Sequence, residues 1–99
     1  MKTMFVVIAE AGEYSDRSEW PVAAYPAEGL AKAHVERATE WLQAHPAPVL
    51  AEDEDYDKYE RKKRRWMRSN PYDFGAEHDY HTAPDRFSCC RVPVREEVP

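Results

Sequence analysis

Met4-Phe-Val-Val-Ile-Ala9 is a continuous apolar run of six residues, and it narrows the possible folds more than any other feature of the chain. Phe, Val and Ile favour strands, and six residues is strand length, so the run predicts a strand buried on both faces. There is little else to bury with it. Ile, Leu, Val and Phe together number 15, with a single Ile, so the aromatics and the thirteen alanines must supply much of the remaining apolar area. A chain of 99 residues forms one small domain, here residues 1–99. No stretch approaches the ~18 apolar residues of a membrane span, and the N-terminus lacks the apolar segment and cleavage site of a signal peptide. A cytoplasmic protein without membrane contact is the expectation. The two cysteines, Cys89 and Cys90, are adjacent, which excludes a disulfide scaffold unless one of them links two chains.

The polar segment Glu10–Glu19 predicts a loop of about ten residues. Trp20–Tyr25 follows as a second strand, pairing back on the first as a loose hairpin. Residues 26–44 carry the strongest helical pattern. Ala27, Leu30, Ala31, His34, Val35, Ala38, Trp41 and Leu42 recur at three- and four-residue spacing and mark one apolar face, rich enough in alanine to approach a sheet closely. Pro26 suits the first turn, and Pro46 forces a stop near His45.

After the Pro46-Ala-Pro48 linker the charges are sorted. Glu52, Asp53, Glu54, Asp55 and Asp57 form an acidic block; Arg61, Lys62, Lys63, Arg64 and Arg65 form a basic one, flanked by Lys58 and Arg68. A helix explains that order, because acids stabilise its N-terminal end and bases its C-terminal end. Glu54–Lys58, Asp57–Arg61 and Glu60–Arg64 have the favourable i,i+4 orientation. Tyr56, Tyr59, Lys63 and Trp66 share a face. Residues 69–86 are turn-rich and polar and predict a loop. Phe87–Val94 alternates as a strand, with Pro93 marking an edge position or the strand's end. The expected fold is α+β: a small antiparallel or mixed sheet of about three strands in the order β-β-α-α-β, with the helices packed on one face.

Phe5-Val-Val-Ile8, the loop Gly12-Glu-Tyr-Ser-Asp16, the strand ending at Tyr25 and the helix opening Pro26-Ala-Glu-Gly-Leu-Ala-Lys-Ala33 together resemble a family of small uncharacterised proteins of bacteria and their phages. The resemblance covers the N-terminal half of the chain, with Tyr14, Ser15 and Asp16 matching its Tyr-Ser-Asp loop. The family's serine-type helix cap is absent here, and the central charged helix departs from its pattern. The resemblance implies a small α+β domain in a mobile-element setting and no known activity.

The residues offer four kinds of chemistry. His78 and His81, with Glu77, Asp79 and a thiolate from Cys89 or Cys90, suggest a metal, but adjacent cysteines on a strand face opposite ways and the usual Cys pair spacing is missing. No metal and no cofactor are expected. Lys58–Arg68 with Tyr59 and Trp66 suits phosphate contact and base stacking, yet the net charge of −5 opposes nucleic acid. Glu13, Tyr14, Ser15 and Asp16, and the Cys/His sets, lack any catalytic spacing, and three glycines leave no phosphate loop; no catalytic residue is assigned and the chain is not expected to be an enzyme. Protein binding fits best. Glu52, Asp53, Glu54, Asp55, Tyr56, Asp57, Tyr59, Arg61, Arg64, Arg65 and Trp66 are the candidate contact residues, because charge patches select partners and aromatics with nearby Arg form hot spots. The expected role is a small acidic protein-binding module, of the kind a phage uses to inhibit or modulate a host or defence protein. A nucleic-acid-associated role through residues 58–68, or an accessory domain with a His/Cys metal site, is the alternative. A homodimer is compatible with the same exposed aromatics.

Overall fold

The computed structural model describes residues 2–73 and 83–95. It contains a three-stranded sheet of β1 (Lys2–Ala11), β2 (Ser18–Tyr25) and β3 (Arg86–Val94), with two α-helices, α1 (Glu28–Ala44) and α2 (Tyr56–Ser69), between the second and third strands. The sheet order is β2-β1-β3 and both ladders are antiparallel. The apolar run therefore becomes the central strand, and Pro93 sits where its missing N–H is harmless, on an edge strand. The fold is α+β as expected.

The odd-numbered residues of β1 face α1. Val7 and Ala9 are completely buried there, beside Val22, Phe87, Ala31 and Ala38. Phe5, Trp20, Ala23, Tyr25, Val35, Leu42, Tyr72 and Cys89 pack around this centre. The even-numbered residues Met4, Val6 and Ile8 point the other way and are only half-buried. The expectation of a strand buried on both faces is thus corrected: α1 covers one face, and no described helix covers the other. On β2, the register shifts between Val7 and Ile8, and Val22 is the inserted residue. The bulge turns Val22 into the core beside Ala23.

Element boundaries differ from the sequence pattern in three places. The β1–β2 connection is residues 12–17 rather than ten residues, because Glu10, Ala11, Ser18 and Glu19 join the ladder. Ala27 is the N-cap of α1, so Pro26 precedes the helix instead of entering its first turn. Leu30 is 52 % exposed, which narrows the apolar stripe of α1 to Ala31, His34 and Ala38 with Val35 and Leu42 beside them. Of the expected 69–86 loop, residues 70–73 and 83–85 are described, and 74–82 lie outside the described residues.

His34 holds the elements together. Its ring is buried, at 5 % exposure. Its Nε2 lies 2.8 Å from the Tyr72 carbonyl and its Nδ1 lies 2.7 Å from the Tyr25 hydroxyl. A carbonyl only accepts, so Nε2 donates; in the neutral ring Nδ1 then accepts from the Tyr25 O–H. The rings of Tyr25, Tyr72 and Phe87 surround it at 5.7, 5.9 and 6.4 Å. One side chain of α1 therefore fixes β2 and the segment that follows α2. His34→Leu removes both hydrogen bonds and leaves the half-buried Tyr72 carbonyl and the Tyr25 hydroxyl without this partner, so it lowers stability by about 2 kcal/mol. In a domain this small, thermal denaturation followed by circular dichroism registers that loss as a fall in Tm of roughly 10 °C.

Candidate protein-binding site

The acidic block lies mostly in front of α2 rather than within it. Ala51 to Glu54 form a turn closed by the Glu54 N–H donating to the Ala51 carbonyl at 3.1 Å. Asp55 is the N-cap, and its side chain accepts from the Asp57 N–H at 3.3 Å. Only Asp57 sits in the first turn. Glu52, Asp53, Asp55 and Asp57 are exposed. Glu54 is folded inward, its side chain 16 % exposed, and pairs with Lys62 at 3.2 Å, two turns along the helix. The sequence pattern paired it with Lys58; the N-cap turn redirects it.

Arg61, Arg64 and Arg65 are exposed along α2, as are Lys58 and Lys62. Tyr56 is 60 % exposed, with its ring 6.1 Å from that of half-buried Tyr59. A hydrogen bond to Glu60 pushes the Tyr56 phenol above its ordinary pKa, because ionisation would set two negative charges side by side. Asp55, Tyr56, Asp57, Glu60, Arg61 and Arg64 line one shallow, open concavity that mixes both signs of charge with one aromatic ring. Arg65 lies outside that lining. Trp66 is turned inward: its indole N–H donates to the His45 carbonyl at 2.7 Å, and its ring lies 5.8 Å from Trp41. Trp41 in turn stacks on His45 at 4.5 Å. With Met67 at 6 % exposure, Trp66 docks the C-terminal turn of α2 on the end of α1. The molecule is correspondingly extended, 56 × 28 × 24 Å, with a radius of gyration of 15.8 Å against the ~13 Å of a compact domain this long.

Elsewhere, Cys89 and Cys90 are free thiols on opposite sides of β3. Cys89 packs against the core, and both cysteines border a cleft with Phe5, Glu28, Lys32 and Arg91. Glu77, His78, Asp79 and His81 lie outside the described residues, and among the described residues no cluster of three His, Cys, Asp or Glu side chains is placed to hold a metal. Among them, too, no helix is long and apolar enough to cross a membrane.

The structure also singles out the β1–β2 connection, which the sequence pattern treated as a plain loop. Gly12 has φ +80°, and a Cβ there would meet the Asp16 carbonyl oxygen at 2.4 Å, so only glycine fits. Tyr14 has φ +55°, a left-handed conformation that costs a bulky side chain about 1–2 kcal/mol, and its side chain is 93 % exposed. A 3-10 turn over Tyr14–Asp16 is closed by the Asp16 N–H on the Glu13 carbonyl and the Arg17 N–H on the Tyr14 carbonyl. The base is pinned on both flanks. Asp85 accepts from the Gly12 N–H at 3.0 Å, and Arg86 donates to the Gly12 carbonyl at 3.0 Å. Arg17 bridges Glu10 and Glu19 across the β1–β2 ladder.

Comparison of this chain with protein-family models, with curated proteins and with solved structures gives no match.

Two predictions follow from this end of the sheet. Burial pushes the Glu10 carboxyl up, but the hydrogen bond and charge of Arg17, with Arg86 and Ser88, outweigh it and hold the group below the usual carboxylate range. The stability this supplies is complete above the unfolded-state pKa of about 4.3 and is lost as pH falls through the lower folded value. Glu10→Gln therefore lowers Tm at pH 7, and its deficit against the wild type shrinks between pH 5 and pH 3; a deficit independent of pH contradicts this account. Tyr14→Asn keeps the turn with a residue that tolerates φ > 0. It raises stability by about 0.5–1 kcal/mol, seen as a Tm higher by roughly 4 °C.

Proposed function

We propose that this chain is a small acidic protein-binding module whose main contact surface is α2 and the acidic turn before it. The observation that carries the reading is the placement of α2. The helix is docked at its Trp66 end, while Tyr56, Asp57, Arg61, Arg64 and Arg65 stand exposed along the rest of it. A partner meets two regions of opposite sign in a fixed order, Glu52–Asp57 and then Arg61–Arg65, with Tyr56 at the end of the first and Tyr59 between them. That order sets orientation and speeds encounter, because complementary charge acts on association rate and register more than on final affinity. The aromatic rings supply desolvated area at the centre, where truncation costs most. Net charge −5 favours a basic partner surface against the acidic turn. An inhibitor or modulator of a host or defence protein is the form this module takes if the phage-type setting implied by the resemblance holds.

Charge reversal tests the reading. The tagged chain is exposed to a lysate of its source or host cells and washed through a salt series, with retained protein and nucleic acid both quantified. One protein is retained at moderate salt. Reversal of Glu52, Asp53 and Asp57 to Lys, or separately of Arg61, Arg64 and Arg65 to Glu, cuts its recovery at least tenfold while circular dichroism is unchanged. Recovery of nucleic acid alone, lost steeply with salt, overturns the proposal and assigns function to residues 58–68 as a phosphate-binding segment.

A further inference from the structure

We propose that the Gly12–Arg17 tip is a second, preformed recognition element, in which the Tyr14 ring inserts into an apolar pocket rimmed by basic side chains on a partner protein. Three observations carry it. Tyr14 is the most exposed large apolar side chain described, at 93 %. Its backbone is held in a strained left-handed conformation that a bulky residue keeps only when its surroundings impose it. Those surroundings are present. Gly12 is fixed from β3 through Asp85 and Arg86, and Arg17 is fixed to Glu10 and Glu19, so the tip is ordered before it meets anything. A preorganised aromatic avoids the ordering cost of binding, and tyrosine is among the residues most enriched where interface energy concentrates. The chemistry of the partner follows from the flanks. Glu13 and Asp16, exposed in the same turn as Tyr14, make the tip acidic, so the pocket that accepts the phenol is matched by lysine or arginine at its rim. The element does not depend on the role proposed for α2, and the two are separable in one assay.

Photo-crosslinking tests it. Tyr14 is replaced by p-benzoylphenylalanine, and in a second protein Val49, 84 % exposed in the linker before α2, is replaced likewise. Both are irradiated in the lysate of the source or host cells. Position 14 gives one adduct of discrete mass that position 49 does not give, and the crosslinked peptide of the partner lies in an apolar pocket with Lys or Arg at its edge. Excess unlabelled wild type and Tyr14→Phe suppress the adduct equally, and Tyr14→Ala requires at least tenfold more, with its circular dichroism unchanged. The α2 reversals leave the crosslink at position 14 in place if the two surfaces meet different partners, and weaken it if they meet one; the dependence on Tyr14 holds in both cases. No adduct, the same adducts from positions 14 and 49, an adduct to nucleic acid, or competition by Tyr14→Ala equal to wild type overturns the proposal.

Discussion

The imidazole of His34 is the interaction on which the arrangement of this chain depends. The buried core cluster is small: Val7, Ala9, Val22, Ala31, Ala38 and Phe87, three of them alanines. Alanine lets α1 approach the sheet closely, but each contributes little buried area, and at ~25 cal/mol per Å² such a core stabilises weakly. A polar group at its edge compensates. His34 satisfies both ring nitrogens inside the protein, against Tyr25 on β2 and the Tyr72 carbonyl beyond α2, while three aromatic rings close around it. It joins β2, α1 and the segment beyond α2 with directional bonds, where dispersion alone would leave them free to slide. The Trp20 indole adds a parallel tie, donating to Asp73 at 3.1 Å.

The same shortage of aliphatic residues explains the one-sided sheet. Only α1 has an apolar stripe that fits a pleated surface. The apolar residues of α2 are Tyr56, Tyr59, Trp66 and Met67, and the first two stay at least partly in solvent. Covering the second face would bury the arginines of α2 against Met4, Val6 and Ile8, and burying unpaired charge costs far more than that face returns. The helix instead uses Trp66 to attach to the end of α1, and the Pro46-Ala-Pro48 linker carries the chain to that position.

Much of this was legible in the sequence because it rests on periodicity. The central strand, the alanine-rich helix, the charge-sorted helix and the edge strand with Pro93 all follow from local pattern. The boundaries did not, for local reasons of a different kind. Asp55 competes successfully for the N-cap, which leaves Glu52–Glu54 outside α2 and sends Glu54 to Lys62 rather than Lys58. The hairpin is shorter than its polar composition suggests because Glu10 is held in the ladder by Arg17 and Arg86, an ion cluster assembled from positions up to 76 residues apart. Within the candidate site, the exposed arginines and Tyr56 stood where helical spacing placed them. Trp66 faced inward because its indole N–H found the His45 carbonyl, a partner 21 residues away. The conformation of Tyr14 had no local signal at all, since tyrosine is among the residues least suited to a left-handed turn; Gly12 was the only hint that the chain bends sharply there.

The two exposed features are ordered by opposite means. A 14-residue helix is too short to be stable alone. The order of α2 therefore comes from its Asp55 cap, the Glu54–Lys62 pair and the Trp66 anchor. The tip at Tyr14 is the reverse: a few residues locked by the antiparallel ladder on one side and by Asp85 and Arg86 on the other, so strain that would relax in a free loop is retained. Surfaces of the first kind adapt to a partner and lose affinity to ordering; surfaces of the second kind present one shape and reject partners that do not fit it. Because the ladder fixes the tip, while Trp66 and the Tyr72 and Asp73 ties hold one end of the helix, loosening Trp66 loosens the charged surface and leaves Tyr14 in place, whereas a side chain at Gly12 disturbs the tip and leaves α2 docked.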